Sequence, residues 1–124
     1  MIKNALIVAL GGAVGSALRY VIQNTIHSKY PNLFPYGTFV VNITGCLLIG
    51  LLMGWATQEK LLSPQINLLL IAGFCGGFTT FSTFAYEGNT LLLENKPLQA
   101  LLYIAASVVV GMIAAYLGYK FTRG

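Results

Sequence analysis

Nine side chains in this sequence have the types and the spacing to hold an anion. Thr38, Asn42, Thr80, Ser82, Thr83, Tyr103 and Ser107 carry hydroxyls or an amide within otherwise apolar sequence. Thr38 and Asn42 are four apart, as are Tyr103 and Ser107, and this spacing puts each pair on one helix face. Thr80, Phe84 and Glu87 likewise share a face, with Thr83 beside it. Hydroxyls and amides donate hydrogen bonds without carrying a full charge, although hydroxyls also accept. Phe81 and Phe84, three apart, add ring edges that bear the positive end of the aromatic quadrupole. The combination suits a small, hard anion. Arg19 and Glu87 are the ionisable residues in the same surroundings and are candidates for recruiting ions, with a structural ion pair or snorkelling as rivals. No Ser/His/Asp set, metal-ligand cluster or phosphate loop occurs, which argues against an enzyme.

These residues lie in segments that only a membrane explains. Of 124 residues, 56% are hydrophobic and 8% charged, against about 25% charged in soluble domains. No charge occurs from Tyr30 to Gln58, from Leu61 to Tyr86 or from Pro97 to Tyr119, and Asn4 to Ser28 holds only Arg19. A spanning helix needs roughly 20 mostly apolar residues, so the sequence predicts four spans. Their expected limits are Ala5–Ile26, Gly37–Trp55, Ile66–Leu93 and Leu98–Tyr119. The chain reads as one four-helix transmembrane domain over residues 1–124, with no room for a soluble module. The first segment is longer than a signal-peptide core and lacks an A-x-A-like site, so it reads as a span. The link Thr57–Gln65 contains Glu59 and Lys60, and Glu94–Pro97 reads as a tight turn.

The net charge of +4 is not a nucleic-acid signature, because the basic residues are scattered and mostly flank spans. Cys46 and Cys75 lie beside glycines inside spans and read as small packing residues, and His27 as a solvated interfacial residue. Gly11 and Gly15 form a small-xxx-small pair for close helix approach.

The third span is the unusual one. Its stretch from Gly73 to Phe84 puts three glycines, three threonines and a serine at mid-span. Non-helical backbone at membrane depth is tolerated where it is buried in protein or lines a wet cavity, and transporters use such breaks to bind ions. A helix broken near the bilayer midplane is the expectation. The rival is a continuous, Gly-rich helix whose hydroxyls bond back to their own carbonyls.

Three runs, Gly11 to Tyr20, Gly37 to Gly45, and Gly73 to Phe84 followed by Glu87, resemble the Fluc/CrcB fluoride-channel family over the whole chain. The Gly-Gly-Phe-Thr-Thr-Phe-Ser-Thr-Phe run is highly specific. The resemblance implies an antiparallel, dual-topology homodimer with two pores that exports fluoride passively across the plasma or inner membrane of a prokaryote. It implies that backbone carbonyls of Gly76 and Thr79 hold a central structural sodium ion. It also implies that Phe81 and Phe84 face fluoride with their ring edges, that Asn42 is a pore residue, and that Arg19 and Glu87 sit toward the vestibule and pore mouth. Thr38, Ser82, Thr83, Tyr103 and Ser107 look like the accompanying polar track.

Topology offers a weak check. Lys3, Lys60, Lys120 and Arg123 fall on one side and Lys29 and Lys96 on the other, with Arg19 nearer the second. This small bias permits dual topology. A small dual-topology multidrug exporter is the alternative, but it would need a carboxylate in its first span, where this chain has Arg19. A non-transporting assembly subunit is the other, in which the glycines serve packing alone. Some family members pair two related chains, so a heterodimer is a further alternative to the homodimer.

Overall fold

The computed structural model describes residues 1–31, 34–58 and 63–123. Those residues form an all-helical protein: α1 (Ile2–Lys29), α2 (Tyr36–Ala56), α3 (Pro64–Asn67), a π-helical segment (Leu68–Cys75), α4 (Gly76–Phe78), α5 (Phe81–Leu93) and α6 (Pro97–Thr122). Four stretches, Ile2–Lys29, Tyr36–Ala56, Pro64–Leu93 and Pro97–Thr122, are long and apolar enough to cross a membrane. Each extends slightly beyond its expected limits, because the polar ends continue the helix after the apolar run has finished. Glu59 and Lys60 lie outside the described residues.

Local chemistry sets the helix ends. Ser63 caps α3 by accepting from Ile66 N–H at 3.2 Å, with Pro64 in the first turn, where a missing N–H costs nothing. At the other end of this span Asn95 takes a positive φ of 58°. Lys96 N–H donates to Leu91 O and Asn95 N–H to Leu92 O. This is the paired closure in which a left-handed residue, glycine or asparagine, ends a helix. It turns the chain into α6 at Pro97.

Helix α2 packs along α6, and α1 packs along the third span. The second seam depends on missing side chains. A Cβ on Gly15 would meet Phe74 O and stand 3.0 Å from Phe78 N; one on Gly77 would come 2.6 Å from Gly12 O. Backbone therefore touches backbone, as the Gly11 and Gly15 spacing leads one to expect. Most large apolar residues on the outer faces, such as Leu10, Val14, Leu101 and Ile113, are exposed in the single chain. That surface suits lipid tails.

Candidate functional site

Helical dihedrals stop at Thr79 and Thr80, which take φ/ψ of −85°/162° and −149°/119°. Two residues of extended backbone leave peptide groups that need partners from elsewhere. Asn42 on α2 supplies them. Thr80 N–H donates to Asn42 Oδ1 at 2.8 Å, and Asn42 Nδ2 donates to Thr80 O at 3.1 Å. The amide satisfies both backbone groups of one residue and retains a second N–H.

The next helix starts from the same point. Thr80 Oγ1 accepts from Thr83 N–H at 3.2 Å and so caps α5. As a result, Thr79 O and Gly76 O lose the donors a continuous helix would have provided. Thr83 N–H is taken by the Thr80 side chain and Thr80 N–H by Asn42. Among the described residues no backbone N–H donates to either carbonyl. Gly77 O is satisfied from α1, by Arg19 Nε at 3.1 Å. Arg19 is therefore tied to the backbone beside the extended residues, an anchoring that sequence spacing did not reveal.

The candidate residues divide between two cavities. One, of about 370 Å³, is lined by Asn42, Cys46, Gly76, Thr79, Thr80, Phe81, Phe84 and Ser107 among others. The other, of about 250 Å³, includes Gln23, His27, Thr38, Thr83 and Glu87. Tyr103, which lines neither, is fully buried. Its hydroxyl donates to Glu87 Oε1 at 3.4 Å, and its ring lies 5.1 Å from that of Phe84. Phe84 in turn lies 5.7 Å from Phe81. Thr38 and Asn42, aligned by spacing, thus serve different cavities. Ser82 is exposed and lines neither.

The hydroxyls also divide into two groups. Ser16, Thr25, Ser28, Thr79 and Thr90 each donate to the carbonyl four residues back, and Thr122 donates to Leu51 O on α2 at 2.7 Å. Among the described residues Thr38, Ser82, Thr83 and Ser107 make no such bond, leaving their protons for another acceptor. The Ser107 oxygen is buried without any partner while its residue lines the larger cavity. A buried hydroxyl left in this way costs free energy unless something occupies the cavity beside it.

Comparison with known proteins identifies the chain. Residues 6–119 match the family described as CrcB-like protein, Camphor Resistance (CrcB). The chain belongs to the CrcB family. A relative from Flavobacterium psychrophilum, named fluoride-specific ion channel FluC, is 47% identical over 94% of each chain. One from Chloroflexus aurantiacus with the same name is 44% identical over 98% of this chain and 96% of its own. A third, from Azobacteroides pseudotrichonymphae, also so named, is 38% identical over 99% and 98%. These CrcB relatives are named as ion channels, a non-enzymatic class. With four helices able to span a bilayer, this CrcB protein is a multi-pass membrane protein.

Two contributions to the site were not anticipated from the sequence. Gln23 donates to Thr38 Oγ1 at 3.0 Å and accepts from Arg19 at 3.3 Å. Its position four residues after Arg19 was the available clue. Thr80 also acts through its backbone and as the cap of α5, which only the extended dihedrals show.

Proposed function

We propose that the chain assembles as an antiparallel, dual-topology homodimer in a prokaryotic inner membrane and conducts fluoride passively out of the cytoplasm. The carrying observation is the larger cavity, where the unpartnered Ser107 hydroxyl, the spare Asn42 N–H and the Phe81 and Phe84 rings meet. Each can offer a positive edge or a proton, and none carries a charge that would hold an anion too tightly to leave. The N-terminus of α5 opens on the same place, and its dipole favours anions. The names of the relatives supply fluoride as the ion.

The dimer reading rests on what one chain leaves uncovered. Phe81 is 80% exposed, and Gly76 and Ser82 are exposed beside it. A second copy against this face would close the cavity. The undonated carbonyls of Gly76 and Thr79 fit a sodium ion, since hard cations bind carbonyl oxygens and these two lack other partners. Held there, the ion would satisfy those carbonyls and lend a positive field to the neighbouring anion path.

Purified protein in liposomes should release trapped fluoride while retaining chloride. Equal chloride release, or no fluoride release, would refute the assignment. Ser107→Ala, which removes the free proton without altering shape much, should slow fluoride efflux about threefold to tenfold, the worth of one hydrogen bond. Wild-type efflux from that variant would remove Ser107 from the path.

A further inference from the structure

Helix α1 directs a polar relay of its own at the smaller cavity. Arg19 and Gln23 stand one turn apart, and the guanidinium that donates to Gly77 O also donates to Gln23 Oε1 at 3.3 Å. A guanidinium has donors only, so the oxygen of the Gln23 amide must face it. The amide orientation, usually ambiguous, is fixed by that chemistry. Its nitrogen then faces Thr38, with Gln23 Nε2 at 3.0 Å from Thr38 Oγ1.

The consequence falls on Thr38. A hydroxyl has one proton and can act in either direction. With an N–H donating to its oxygen from one side, Thr38 turns its own proton elsewhere. Among the described residues that proton goes to no backbone carbonyl, unlike the protons of Ser16, Thr25 and Thr90; the Glu87 carboxylate and the Tyr103 hydroxyl stand close enough to accept it when nothing else does. Thr38 is 2% exposed, and the open space beside it is the cavity it shares with His27, Thr83 and Glu87.

We propose that Gln23 is a positioning residue that holds Thr38 as a one-directional hydrogen-bond donor toward the smaller cavity, so that its proton, which the Glu87 carboxylate can also accept, is offered to an anion passing there. The inference rests on the fluoride-channel reading above. Arg19 supplies the fixed reference, Gln23 transmits it, and Thr38 presents the result. Without Gln23 the Thr38 hydroxyl could rotate to offer a lone pair, which repels an anion.

Fluoride efflux from proteoliposomes tests this with Gln23→Met made in the wild-type and Thr38→Val backgrounds. Gln23→Met keeps the length of the side chain and removes both polar atoms. It should slow efflux about threefold to tenfold and raise the fluoride concentration needed for half-maximal flux. In the Thr38→Val background it should have no further effect, because the group it orients is gone. Gln23→Leu gives the same comparison if the methionine variant does not purify as a monodisperse protein. Gln23→Glu, whose carboxylate only accepts, should be worse than Gln23→Met. Wild-type efflux from Gln23→Met, or a loss that adds fully to that of Thr38→Val, overturns the inference while leaving the channel reading intact. A wild-type protein that carries no fluoride defeats both.

Discussion

Asn42→Asp should stop fluoride efflux while leaving a protein that still folds. The carboxylate retains an acceptor for Thr80 N–H, the shorter of the two bonds at 2.8 Å, so the extended backbone keeps its stronger tie. What it lacks is the donor. Thr80 O loses its 3.1 Å partner, and the spare N–H lining the larger cavity disappears. A full negative charge takes its place. Two like charges about 4–5 Å apart repel by roughly 3–4 kcal/mol at an effective dielectric of 20. Efflux should therefore fall by about two to three orders of magnitude. Liposome flux measured beside gel-filtration profiles checks both halves of this expectation. Asn42→Leu should behave differently, since it leaves two backbone groups of Thr80 unpaired, at about 1–3 kcal/mol each, and should reduce the yield of folded protein. An Asn42→Asp protein that conducts like wild type would mean that Asn42 is only a clamp on Thr80.

Where the sequence was legible, the reason was periodicity and charge. Long runs without Asp, Glu, Lys or Arg have one physical outcome, and the four helices follow from them. The Gly11 and Gly15 pair announced a backbone contact because nothing but missing Cβ atoms allows one. The polar side chains were legible as a set but not as individuals. Thr79 and Thr83 look alike in sequence. Yet Thr79 spends its proton on Cys75 O at 3.0 Å, while Thr83 makes no bond to its own helix. That difference follows from where the extended pair begins, and the position of the pair is fixed by Asn42, thirty-eight residues upstream of Thr80. Arg19 was hidden for the same reason. Its partner is the carbonyl of Gly77, fifty-eight residues away, and backbone acceptors carry no residue-type signature. Gln23 had a signature, the four-residue interval from Arg19, but a glutamine near a span end has many uses. Only the donor-only guanidinium on one side and Thr38 on the other give it a direction.

Gly77→Ala and Phe84→Leu should separate assembly from conduction. A Cβ on Gly77 would stand 2.6 Å from Gly12 O and 2.9 Å from Gly12 Cα. Both are backbone atoms within α1, so no side chain can rotate away, and the two helices must part. Overpacking of this kind costs about 1–3 kcal/mol where side chains can adjust, and here they cannot. Parting the helices also draws Arg19 from the Gly77 carbonyl, leaving a guanidinium in apolar surroundings with one partner fewer. The expected result is a lower thermal midpoint in detergent and little monodisperse protein. Phe84→Leu acts on the opposite face. The Phe84 ring is held between Phe81 at 5.7 Å and Tyr103 at 5.1 Å, and leucine fills much of that space with apolar atoms. Folding should survive, whereas the polarised ring edge proposed to face the anion is lost. An aromatic edge contact is worth about 0.5–1.5 kcal/mol, so efflux should fall about threefold to tenfold with the thermal midpoint nearly unchanged. If Phe84→Leu instead unfolds the protein, or Gly77→Ala conducts normally, the backbone and ring halves of the site are not separable. The extended pair at Thr79 and Thr80 would then have to be read as part of a single unit with the rings that follow it.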